Sequence, residues 1–126
     1  MAEGWTRALK GDAIEVYSAG VESRGLDPRA VRVMREAGVD ISAQRSKTVR
    51  EIGPVSPDCV VTVCGRAGEN CPVFPGARRV VHVPFDDPPL LAATAAGEEE
   101  ALGHYRRVRD EIRRFVESLP EGLDVA

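Results

Sequence analysis

The sequence predicts an α/β domain with a parallel sheet flanked by helices. Two observations carry this: helical and strand patterns alternate along the chain, and short apolar runs rich in valine are separated by stretches of helical period. A length of 126 residues suits one domain around a single core.

The elements follow in order. Met1 to Leu9 reads as a short helix, and Ile14 to Ser18 as an apolar strand ending at Ala19-Gly20. Asp27 is placed to cap a helix with Pro28 at its first position, Ala30, Val31, Val33 and Met34 along it, and Gly38 just past its end. Ser46 opens a further short helix through Ile52, stopped by Gly53-Pro54. Cys59 to Val63 and Val80 to Val83 are the next strands. Phe85-Asp86-Asp87-Pro88-Pro89 reads as loop, because consecutive prolines do not fit a helix interior. The last helix runs from Glu98 to Leu119. Leu102, Tyr105, Val108, Ile112, Phe115, Val116 and Leu119 mark its apolar face, and Pro120 closes it.

A net charge of -3, with no basic stripe, argues against nucleic acid as a partner. Arg106, Arg107, Arg109, Arg113 and Arg114 are interleaved with Asp110, Glu111 and Glu117 and read as a solvated helix face. There is no membrane-spanning run or signal peptide. Three cysteines, an odd number, suit a reducing compartment, so a cytoplasmic location is expected.

Cys64 and Cys71, with six residues between them, stand where the strand Val60, Val61, Val63 ends and a glycine-containing turn begins. Were that segment helical, their Cα atoms would lie roughly 10 Å apart, beyond the roughly 7 Å that a disulfide tolerates. Bridging requires unwinding, which Gly65, Gly68 and Pro72 make easy. Arg66 and a helix N-terminus would favour the Cys64 thiolate. Two readings stay open on spacing alone: a redox switch, or two buried inert cysteines. A zinc site needs two further ligands, and His82 and His104 are isolated. Cys59, early in the valine strand, reads as a small core residue.

Taken in order, MAEGW, YSAG, DPRAVRVMREAGVDIS, VVTVCGRAGENCP, FDDPP and YRRVRDEI resemble the thioredoxin-coupled arsenate reductases, relatives of the low-molecular-weight tyrosine phosphatases. The resemblance spans nearly the whole chain. It implies a cascade in which a cysteine in a C-x5-R loop attacks arsenate, held by the loop's backbone N–H groups. Cys64 then displaces arsenite, and Cys71 captures Cys64. Thioredoxin reduces the resulting Cys64–Cys71 disulfide, and no cofactor is implied. Asp87 matches the family's general acid, while Asp86 reads as a turn former. Glu3 and Ser18 match positions that hold potassium in some members. Lys47 replaces the carboxylate expected beside Ser46, so no potassium dependence is expected; Glu3 and Ser18 also read simply as a helix-start acid and a strand end.

One departure is large. No C-x5-R pattern occurs in these 126 residues, because position six after Cys59, Cys64 and Cys71 holds Gly65, Asn70 and Ala77. The expectation is therefore a sheet lacking its first, central strand, a chain inactive toward arsenate as written, and Met1 as an internal methionine of a longer protein. Open strand edges would invite dimerisation or strand exchange. The main functional alternative is a non-catalytic dithiol module that keeps the Cys64–Cys71 switch. A plain tyrosine phosphatase is weaker, since that chemistry gives no role to Cys64 and Cys71.

Overall fold

The computed structural model describes residues 1–18, 26–44, 57–63 and 78–119. Helix α1 spans Ala2–Lys10, with Glu3 in its first turn and Arg7 and Lys10 in its last, the arrangement that suits the helix dipole. Helix α2, Pro28–Glu36, starts as its sequence dictates: Asp27 is extended and its Oδ1 accepts the Arg29 N–H at 2.9 Å. The helix closes through Gly38 at φ 88°, beyond which the Val39 N–H returns to the Met34 carbonyl at 2.9 Å.

Strands β1, Val60–Thr62, and β2, Val80–His82, pair in parallel with Val60 opposite Val80 and Thr62 opposite His82. Both fall inside the runs read as strands, shortened at their ends. Val81 is buried, while Val80 faces outward. The helix expected from Ser46 to Ile52 lies outside the described residues.

Two expectations are corrected. Ile14 to Ser18 forms no strand. A ladder needs a neighbouring strand, and here two of the segment's backbone groups turn to α1: the Ile14 N–H donates to the Lys10 carbonyl at 2.8 Å and Arg7 donates to the Val16 carbonyl at 3.2 Å. The double proline is not all loop either. Helix α3, Pro88–Ala92, has both prolines in its first turn, where backbone N–H groups have no intrahelical partner to lose.

Helix α4, Glu98–Glu117, is the spine on which α1, α2 and α3 pack. Its buried face carries Ala101, Leu102, Tyr105, Val108, Ile112 and Val116. Val108, Ile112 and Val116 meet Trp5 of α1, Met34 of α2 and Ile41 in one cluster; Leu102 and Tyr105 meet Val33 in another. The Trp5 indole N–H donates to the Arg109 carbonyl at 3.1 Å, and the Arg113 guanidinium lies 5.1 Å from the ring centroid. Gly4 lets α1 approach closely, since a Cβ there would meet Ile41 Cγ2 at 2.5 Å.

The arginine-rich face is less solvated than the sequence suggests. Arg109 is 14% exposed and donates to the Val33 carbonyl at 2.9 Å while pairing with Asp110 and Glu36. Arg106 grips Glu36 through two bonds of 2.9 and 3.0 Å and reaches Glu99 at 2.7 Å. Arg29 on α2 holds Glu98 on α4 in the same two-pronged way. Arg106 and Arg109 thus face α2 as much as water.

Asp27 joins two helices, since its second oxygen, Oδ2, accepts the hydroxyl of Tyr105. Asp27→Ala is expected to destabilise the fold by about 2–4 kcal/mol, the sum of a lost cap and an unpaired buried hydroxyl. Urea unfolding measures it, with Tyr105→Phe losing less because the cap survives. Hydrogen bonds from Arg106 and Arg29 hold the Glu36 and Glu98 carboxyls below their ordinary value of 4.5. These groups bind fewer protons folded than unfolded, so their stabilisation is complete above that value and fades as pH falls through the lowered folded values. The melting temperature should fall on acidification below about pH 4.5, with a shallower slope in Glu36→Gln.

Candidate functional site

Parallel strands bring their C-terminal ends to one edge of a sheet, the place where α/β folds display reactive groups. Beyond β1 and β2 the two chains stay together. The Val83 N–H donates to the Thr62 carbonyl at 2.8 Å, and the Phe85 N–H donates to the Val63 carbonyl at 3.3 Å. Val63 immediately precedes Cys64, and Phe85 stands two residues before Asp87. The backbone entering the cysteine segment is therefore bonded to the backbone entering the aspartate loop. Cys64 and Cys71 themselves lie outside the described residues.

Asp87 occupies the N-cap position of α3 with extended backbone, φ -90° and ψ 106°, and it is exposed. Its carbonyl accepts the Leu90 and Leu91 N–H groups at 3.1 and 3.2 Å, yet its carboxylate does not cap the helix. Asp86 does more than form a turn, because its Oδ2 accepts a charge-assisted bond of 2.9 Å from Arg107 on α4. The same loop is fixed by Phe85, edge-on to Phe115 at 6.2 Å between centroids, and by buried Pro88.

Across the strand ends, Thr62 Oγ1 and His82 Nδ1 lie 2.7 Å apart. Sequence reasoning missed this clip, since only the register places residues twenty apart opposite each other. Cys59 precedes β1 as a partly buried free thiol rather than a full core residue. Burial pushes its pKa up, with Arg79 pulling the other way, which disfavours the thiolate that a nucleophile needs.

Glu3 and Ser18 are brought together: the Ser18 hydroxyl donates to the Glu3 carboxylate, which is 6% exposed. Arg7, one turn along α1, places its guanidinium 3.4 Å from the same carboxylate. That arginine was missed, although its i,i+4 spacing from Glu3 was the available signal. Lys47 lies outside the described residues. Among the described residues, no three His, Cys, Asp or Glu side chains gather to hold a metal ion, and no helix is long and apolar enough to cross a membrane.

Comparison with known proteins agrees with this architecture. The family model for low molecular weight phosphotyrosine protein phosphatase matches residues 1–125. The arsenate reductase of Halalkalibacterium halodurans is 44% identical over 121 residues, spanning 96% of this chain and 85% of the relative. That of Bacillus subtilis is 43% identical over 121 residues, with the same coverage of both proteins. A solved structure of an arsenate reductase in the phosphate binding state aligns with a TM-score of 0.76 at 29% identity, over 97% of this chain and 86% of that one. The arsenate reductase of Archaeoglobus fulgidus aligns with a TM-score of 0.70 at 32% identity, over 94% of this chain and 86% of its own. The α/β architecture, the parallel strands and a family match over nearly every residue converge: the chain belongs to the low-molecular-weight phosphotyrosine protein phosphatase family.

Proposed function

We propose that this protein works in arsenate reduction, as an arsenate reductase that draws its electrons from thioredoxin. The observation that carries the proposal is 44% identity over 96% of the chain to an arsenate reductase. Two features support it. Cys64 and Cys71 are both in the sequence, and the bond between Val63 and Phe85 ties the strand leading to Cys64 to the loop bearing Asp87.

The chemistry assigns each residue a step. A thiolate in a C-x5-R loop attacks arsenate, forming an arsenic–sulfur bond while an oxygen leaves as water, protonated by Asp87. The Cys64 thiolate then attacks that sulfur. A disulfide forms, the arsenic–sulfur bond breaks, and its electron pair stays on arsenic, which goes from As(V) to As(III). Cys71 attacks Cys64 and releases the first thiolate. Thioredoxin, a dithiol, supplies two electrons to the Cys64–Cys71 disulfide and is itself oxidised. Such a cycle needs a reducing compartment, and we place the protein in the cytoplasm.

These 126 residues contain no C-x5-R segment, and Cys59, with Gly65 where the arginine would stand, does not replace it. Residues 1–126 alone are therefore proposed to lack arsenate turnover while keeping the dithiol switch. This same observation favours the second reading, a non-catalytic dithiol module.

A coupled assay with NADPH, thioredoxin reductase and thioredoxin separates the two readings. Residues 1–126 should give no arsenite, and the chain preceded by the family's first strand and C-x5-R loop should give sustained turnover. No arsenite from the extended chain would overturn the enzyme reading; turnover by residues 1–126 would overturn the need for the loop. In the extended chain, Cys71→Ser should release about one arsenite per protein and then stall, as rapid-quench measurement of arsenite would show. Asp87→Asn should lower kcat by about 100-fold in the same assay.

A further inference from the structure

The two neighbouring aspartates of the FDDPP segment are treated differently by the fold. Asp86 pairs with Arg107 at 2.9 Å, whereas Asp87 sits on extended backbone at the head of α3. Asp86 and Asp87 are neighbours in the chain, so anchoring Asp86 on α4 fixes the backbone from which Asp87 departs. Arg107 is itself oriented. Its other terminal nitrogen, Nη1, is held by Glu111 one turn further along α4 at 2.8 Å, which leaves Nη2 directed at Asp86. Phe85 packs edge-on against Phe115, on the same helix, and its N–H is bonded to the Val63 carbonyl of the opposite segment. The loop is thus gripped by α4 on one side and by the end of β1 on the other.

We propose that Arg107 is a positioning residue: through Asp86 it fixes where Asp87 stands relative to the strand end that leads to Cys64. This rests on the arsenate reductase reading, in which Asp87 protonates the departing oxygen. Both partners are about half exposed, at 44% and 47%, so the pair biases the loop rather than locking it. Its loss should lower kcat by about three- to fivefold, far less than loss of Asp87 itself.

The kinetic test is a cycle of Arg107→Ala and Asp87→Asn in the extended chain described above. Arg107→Ala should lower kcat about three- to fivefold with KM for arsenate unchanged, and Arg107→Lys should restore most of the rate. Added to Asp87→Asn, Arg107→Ala should cause no further loss, because its effect runs through that carboxylate. Independent, multiplying losses would overturn the proposal, as would an unchanged kcat. A second measurement needs no turnover: amide hydrogen exchange in residues 1–126. Exchange at Phe85 and Leu90, whose N–H groups are bonded to the Val63 and Asp87 carbonyls, should speed up in both Arg107→Ala and Asp86→Asn, with Val81 unchanged. Unaltered exchange at Phe85 and Leu90 would overturn the proposal even if the extended chain makes arsenite. Should the unmutated extended chain make none, the arsenate reading fails and the exchange measurement alone decides the role of Arg107.

Discussion

Along α4, Leu102, Tyr105, Val108, Ile112 and Val116 recur at steps of three and four residues and so line one face, and α1 and α2 lay their apolar sides against it. Each fully buried aliphatic side chain contributes about 1.5–3 kcal/mol, whereas exposed ion pairs of the kind that surround this seam stabilise little. Removal of the α4 stripe would leave α1, α2 and α3 without a common surface. Among the described residues the sheet is a two-stranded pair, which is too small to replace it, since two strands alone are marginal in water.

Polar groups choose the arrangement that the apolar stripe makes stable. Asp27 is the clearest case: one oxygen starts α2 and the other accepts the Tyr105 hydroxyl from α4, so the register between the helices is set where α2 begins. Arg109 works at the other end of α2, donating to the Val33 carbonyl while its charge meets Asp110 and Glu36. The same helix reaches the candidate site through Arg107 and Phe115. Core and site therefore share one scaffold, and the aspartate loop takes its position from the element with the most buried surface.

The helices were legible because their signals are local. Asp27-Pro28 and Gly38 bracket α2, and the apolar period of α4 is continuous over five turns. Ile14 to Ser18 was misread because a strand is a property of two segments, and an apolar run carries no information about whether its neighbour is there. The double proline was misread for a related reason: it is barred from a helix interior but not from a first turn. At the candidate site, Asp87, Glu3 and Ser18 were singled out from their motifs, and Glu3 and Ser18 do meet. Other contacts there could not be read that way, because Arg107 lies 21 residues from Asp86 and the Thr62–His82 contact depends on register.

Trp5 is the only tryptophan in the chain, and its ring sits in the seam between α1 and α4, with its N–H on the Arg109 carbonyl and a guanidinium above it. Docking of α1 consequently carries its own optical label. The ring is shielded from water while the helices are in contact and wetted when they part, so its emission reports on the cluster it shares with Met34, Ile41 and α4. Because Glu3 sits on the same helix two residues away, that light also follows the helix that carries the Glu3–Ser18 pair.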